Sequence, residues 1–218
     1  ALRVLEVDYA LSVAIATVRF PTLARFAAPG TFAEITVIVP ARELAAARPL
    51  ATLWPGLPVR VAAETELLPD VAAQRNYVRL RPWHFQQLLK LGACAAAATP
   101  CVMVFDPDVI ATRPFALADL IADHKPVVHT EAKTVHRAWW QASADLLGVA
   151  VDWARPGLSV TPQILRADLC RALLARIETS HRRPWPALLR QRSYTPWTEY
   201  TLYGLFCEAA GCFDTHHI

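Results

Sequence analysis

The sequence has no CxxC pair and no closed disulfide set. Its five cysteines (Cys94, Cys101, Cys170, Cys207, Cys212) are odd in number and scattered, which predicts reduced thiols in a cytoplasmic protein. No stretch gathers Lys and Arg into a patch, and a net charge of +3 is too small to argue for nucleic acid. The most apolar stretch, Leu91 to Phe105, is broken by Pro100 and is too short for a transmembrane segment. No basic segment leads into an apolar one at the start, so no signal peptide is expected. Internal repeats, low-complexity tracts and linkers are lacking. His84, His124, His129, His136 and His181 have no ligand spacing and read as ordinary surface or core residues.

What is there is a chain of 218 residues, 54% hydrophobic, enough to bury a sizeable core as one domain over 1–218. "EITVIVP" (Glu34–Pro40) is a β-branched run closed by proline, and "LPVRVAAE" (Leu57–Glu64) is a second strand. "WHFQQLLKLGACAAAA" (Trp83–Ala98) carries a helical apolar stripe at Phe85, Leu88, Leu89 and Ala93. "CVMVF" (Cys101–Phe105) is apolar on both faces, as central strands of covered parallel sheets are. "KPVVHT" (Lys125–Thr130) reads as a fourth strand. Residues 9–27 read as helical with a kink or break at Pro21. Helices are expected over Val135–Leu147, Pro162–Glu178, Pro184–Gln191 and Glu199–Ala210. The alternation predicts a single α/β domain: a mostly parallel sheet, helices on both faces and a helical C-terminal part.

"VMVFDPDVIATRP" (Val102–Pro114) carries the chemistry. Ligands of open α/β sheets sit beyond the carboxyl ends of the strands, where Asp106 and Asp108 fall. Residues two apart on an extended segment face one side, and Pro107 stiffens the spacing. Two carboxylates there suit a hard divalent cation, Mg²⁺ or Mn²⁺ (manganese), with open positions for substrate phosphates. An Asp-Pro-Asp turn is the plain alternative. Two enzyme classes place D-x-D after an apolar strand. Haloacid-dehalogenase-type phosphatases match "VMVFDPDV" literally, with Asp106 as nucleophile and Asp108 as general acid. Their motif, however, belongs on the first strand and needs a downstream acidic pair that this chain lacks. Nucleotide-sugar glycosyltransferases of the GT-A fold carry D-x-D after about a hundred residues of nucleotide-binding structure, which is its place here.

The surrounding blocks sharpen the choice. "RPWHFQQLLKLGACAAAATPCVMVFDPDVIATRPF" resembles W-x-x-Q-Q-x-x-K-L, an apolar strand, then D-x-D-V-x-x-x-R-P. "VTPQILRADLCRALLARIE" resembles a V-T-P-x-x-L segment, and "WTEYTLYGLFCEAAGCF" a W-S-E-Y-x-L-Y segment with Thr198 in place of Ser. Together these resemble a largely uncharacterised bacterial family of GT-A-type glycosyltransferases, from about Glu34 to the C-terminus. At the N-terminus "LRVLEVDYALS" departs from the family: an apolar run with Glu6 and Asp8 stands where a Pro/Thr-rich nucleotide loop is expected.

The resemblance implies sugar transfer from a nucleotide-diphosphate donor to a hydroxyl acceptor, with Asp106 and Asp108 holding the metal. Asp106 is alternatively a ribose contact. A metal there would neutralise charge on the leaving diphosphate. Lys90 is a second positive charge for the donor, or a solvated helix lysine. Gln86 and Gln87 orient sugar or phosphate, or line a polar helix face. Trp83 stacks on base or sugar, or sits at the core edge. Arg113 is expected to pair with Asp106 or Asp108. Glu199 starts a helix with Thr198 as N-cap, where the dipole favours a carboxylate. Between Trp197, Tyr200 and Tyr203 it also reads as a catalytic base or acceptor ligand. Glu131 and Asp214 are lesser candidate acids. His216 is read as a third metal ligand, the alternative being a frayed tail at His216–His217. A non-catalytic nucleotide-sugar-binding protein would keep the D-x-D without an acceptor acid.

Overall fold

The first residues of the chain supply the middle of the sheet. The computed structural model describes residues 2–7, as backbone only, together with 21–53, 55–106 and 109–218. Leu2–Val7 (β1), Phe32–Val39 (β2), Val59–Ala63 (β3), Cys101–Phe105 (β4) and Gln163–Arg166 (β5) form one sheet in the order β3-β2-β1-β4-β5. β1 lies parallel to both β2 and β4, and β2 parallel to β3. The edge strand β5 runs antiparallel to β4. The chain moves outward from β1 through β2 to β3, then returns to place β4 on the other side of β1. The order therefore reverses between β1 and β4, which is where open α/β sheets form their ligand crevice.

Every residue of β4 is buried, because both faces of the sheet are covered. Val102 and Val104 pack with Leu165 and Ile38 under the long helices. Cys101, Met103 and Phe105 point the other way, into a second cluster with Leu23, Ile35, Val37 and Val39. The first face carries Pro82–Ala96 (α1), Arg137–Leu147 (α2), Ala167–His181 (α3), Trp185–Gln191 (α4) and Glu199–Ala209 (α5). Proline at the first position starts α1, where a missing N–H costs nothing. α2 stops at Gly148, whose φ of 65° is the left-handed conformation that a helix stop demands.

Three expectations change. β1 belongs to the sheet although Glu34–Pro40 reads as the first strand. The stretch expected as a fourth strand, Lys125–Thr130, is strand only over Lys125–Pro126, in a separate hairpin with Ile121–Ala122. Proline has no N–H for a ladder, so the run cannot continue as a central strand. Within the expected helix Pro162–Glu178, Gln163–Arg166 is strand and the helix begins at Ala167. The free edge of β4 wins those four residues. Of the expected helix at 9–27, residues 21–26 are helical, while 9–20 lie outside the described residues.

The C-terminal residues are docked rather than frayed. His217 is buried beside Phe213; its Nδ1 lies 3.0 Å from the Phe213 carbonyl and its Nε2 2.8 Å from the Tyr203 hydroxyl. Tyr203 in turn accepts from the Arg166 amide. Ile218 donates to the Pro126 carbonyl and accepts from the Val128 amide. Burial pushes the His217 imidazole down to about 4, since the charged ring loses its water. A depressed pKa means that the folded state keeps His217 neutral while the unfolded chain takes up the proton. Its contribution to stability is complete above about 6.5 and is lost as pH falls towards 4, a swing of about 3 kcal/mol. The melting temperature is expected to fall over that window, and His217→Gln should flatten that part of the profile. Parallel profiles for the two proteins would refute the assignment.

Candidate active site

One ammonium group joins the crevice to the core. Lys90 sits two turns into α1, and only 2% of its side chain is exposed. Its Nζ lies 2.6 Å from Asp106 Oδ1, directly after β4, and 2.8 Å from Glu199 Oε1, at the first position of α5. Glu199 is 1% exposed and Asp106 29%, so the lysine links an inner carboxylate to one that faces the crevice. The contact with Asp106 is a hydrogen bond. The contact with Glu199 is an ion pair between two buried groups. The Tyr200 ring centroid lies 5.3 Å from the same ammonium.

Burial alone would lower the pKa of Lys90. The charges of Glu199 and Asp106, with Tyr200 beside them, outweigh that effect and hold it well above the ordinary lysine value. Burial pushes the Glu199 carboxyl up, and the nearby ammonium draws it back down. The Tyr200 hydroxyl is driven up by burial, so it stays protonated. Lys90 is accordingly a fixed cation. Fully buried carboxylates and amines survive only when paired, and this pair is the reason both tolerate the interior.

The motif blocks converge here. Thr161, from the V-T-P segment, accepts a hydrogen bond at its Oγ1 from the Asp106 amide at 3.2 Å, and the Tyr200 hydroxyl lies 3.5 Å from the same oxygen. Thr198 caps α5: its hydroxyl accepts from the Thr201 amide, and the Thr201 hydroxyl accepts from the Thr198 amide. The α1 block supplies Lys90, the D-x-D block Asp106, and the W-T-E-Y block Glu199 and Tyr200. Residues more than a hundred positions apart thus meet within hydrogen-bond distance.

The other expected residues scatter around this centre. Gln87 is buried and donates to the Trp83 carbonyl, and its own side-chain oxygen has no partner. Gln86 is half-buried. Trp83 is exposed, with its ring 5.9 Å from Trp139, which stacks on His136 at 3.9 Å. Arg113 is exposed and makes no ion pair with Asp106; Asp108 lies outside the described residues. Glu131 accepts from the Ser159 hydroxyl two residues before Thr161. Asp214 pairs with Arg155 on the surface. His216 ends a short helix, half-buried, and no described group of three His, Cys, Asp or Glu is arranged around a metal position. Sequence reasoning did not single out Thr161 itself, although the V-T-P block contained it.

A second set was not anticipated. Beyond the carboxyl ends of β2 and β3 lies a cavity of about 700 Å³, lined by Arg42, Arg75, Arg79 and Glu64. Burial raises the pKa of Glu64, and its Oε2 is buried without a partner. The signal available was positional: Pro40 and Glu64 close the two strand runs readable in the sequence.

Removing the lysine should expose the cost of the arrangement. Lys90→Met is expected to lower stability by about 3–5 kcal/mol, because it leaves a buried carboxylate without compensation. Adding Glu199→Gln to that variant should restore much of the loss, since the Asp106 carboxylate that remains can be solvated. Denaturant unfolding of the two variants checks both statements. Simple additivity of the two effects would contradict the coupling.

Among solved structures, that of mouse xyloside xylosyltransferase 1 in its apo form is similar in fold. Its TM-score is 0.55 at 13% identity, and the match covers 97% of this chain and 83% of that one. No curated protein matches the sequence. With the four motif segments gathered at the reversal of a sheet and a match over residues 4–218, the chain belongs to DUF6492, a family of unknown function.

Proposed function

We propose that the protein is a metal-dependent glycosyltransferase that moves a sugar from a nucleotide-diphosphate donor to a hydroxyl acceptor. The observation that carries this reading is the Asp106–Lys90–Glu199 cluster at the point where the strand order reverses. The likeness in fold to a xylosyltransferase supports it. The cavity beyond β2 and β3 supports it as well. Three guanidinium groups there suit phosphate oxygens, and the unpartnered oxygen of Glu64 suits a ribose hydroxyl.

The residues divide the work as follows. Lys90 fixes Asp106 Oδ1, which leaves the second carboxylate oxygen for a ligand in the crevice. Thr161 holds the Asp106 amide and so sets where the strand ends. The oxygen donors of Asp106 and Asp108 fit Mg²⁺ or Mn²⁺, which when bound would neutralise the leaving diphosphate. As the bond from the sugar carbon to the diphosphate oxygen breaks, negative charge collects on that oxygen. Arg42, Arg75 and Arg79 add positive charge on the donor side of the crevice. Glu199 is buried behind Lys90, so it is a positioning residue that acts through the lysine rather than an acid in contact with the acceptor.

Incubation with a panel of nucleotide sugars and Mn²⁺ tests the reading. Slow metal-dependent release of nucleoside diphosphate is expected, and a donor left intact would point to a binding protein instead. Asp108→Asn should abolish Mn²⁺-dependent nucleotide binding and leave the melting temperature nearly unchanged. Retained binding in that variant would remove the metal role. Glu199→Gln separates positioning from base catalysis. As a positioning residue its loss should weaken donor binding together with rate. A fall of roughly 10²–10⁴-fold in rate at unchanged donor affinity would identify a general base.

A further inference from the structure

A second cleft, of about 800 Å³, opens between the turn of helix at Arg75–Leu80 and α4. Arg81, Arg183 and Arg190 line it, together with Tyr77, Ser193 and Tyr194, and no Asp or Glu does. Among the described residues none of the three arginines forms an ion pair with a carboxylate. Arg190 Nε is buried there without a hydrogen-bond partner, and the guanidinium lies 6.0 Å from the Tyr77 ring centroid. Arg81 lies 4.3 Å over the ring of Tyr194, which is 80% exposed. Arg183 donates to the Gln191 side-chain oxygen, which leaves its positive charge uncompensated. Three guanidinium groups facing one cavity repel each other, so an oxyanion among them is strongly favoured. The exposed ring of Tyr194 offers a flat apolar surface of the kind on which sugar rings pack.

The cleft is lined by the two segments that lead into the Lys90 centre, residues 76–81 before α1 and residues 183–194 before α5. Arg81 immediately precedes α1, about 13 Å along the helix axis from Lys90. Ser193 and Tyr194 lead directly to Glu199, and the His84 Nε2 on α1 lies 3.0 Å from the Thr195 carbonyl of that connection. We propose that this cleft binds an anionic sugar, one that carries a phosphate or a carboxylate, and that it is the acceptor site. The role as acceptor site rests on the glycosyltransferase reading; the binding of an anionic sugar does not. The anion sits among Arg81, Arg183 and Arg190, its sugar ring packs on Tyr194, and the acceptor hydroxyl points along α1 towards the crevice.

Calorimetric titration of the full chain with glucose 6-phosphate, glucuronate and glucose tests the proposal. At low salt at least one of the two anionic sugars is expected to bind, and the comparison between them tells phosphate from carboxylate. Glucose is expected not to bind. Arg183→Glu, an exposed position, should weaken the anionic sugar roughly ten- to a hundredfold, as the loss of a charge-assisted hydrogen bond does, with the melting temperature unchanged. Equal binding of glucose, or binding unaltered in Arg183→Glu, would overturn the site. Donor hydrolysis by the unaltered protein separates the two readings. Donor hydrolysis without binding of either anionic sugar removes the cleft and keeps the transferase. Anionic-sugar binding without donor hydrolysis keeps the cleft and removes its role as acceptor site.

Discussion

A lysine ammonium held in the interior between two carboxylates is the constraint on which the rest of this structure depends. An unpaired charge at that depth is prohibitively costly, so α1, β4 and α5 must arrive together or not at all. Lys90 fixes the height of α1 over the sheet, Asp106 the end of β4, and Glu199 the start of α5. The apolar packing beneath them is generous but undirected. The ion pairs add what hydrophobic burial lacks, a single register in which three elements meet. They also leave one carboxylate facing the crevice, held in place by a group that cannot drift.

The sheet explains why the charges gather at this point. Strand order reverses between β1 and β4, the place where open α/β sheets form their ligand crevice. Asp106 stands at one wall of it. The arginines beyond β2 and β3 and those beside α4 line two cavities that share the helical turn at Arg75–Leu80. Thr161 ties the arrangement to β5, since the segment that caps the Asp106 amide runs straight into the antiparallel edge strand.

Much of the fold was legible because local pattern and tertiary role agree. The five apolar residues of β4 are buried on both faces, as a continuous apolar run requires, and the strand ends where the aspartates begin. The stripe on α1 faces the core, and Thr198 caps α5 as its position suggested. Where pattern was misleading, a partner decided. Gln163–Arg166 has helical company on its C-terminal side but lies against the open edge of β4. Lys125–Thr130 looks like a strand, yet Pro126 and a nearby turn keep it in a two-residue hairpin.

The sequence by itself marked Lys90, Asp106 and Glu199 as candidates for chemistry, through their places in apolar-flanked blocks, and left Thr161 unmarked within its own block. It also determined the alternation of strand and helix that sends those blocks to one edge of a sheet. Only the tertiary structure decided that Lys90, which reads equally well as a solvated helix lysine, is buried, and that Glu199 stands behind it rather than in the crevice. Only the tertiary structure brought Arg81, Arg183 and Arg190 around one cleft. The physical reason is that periodicity records which side of an element is apolar. The energy of a buried charge depends instead on partners a hundred residues away, and no local pattern encodes those.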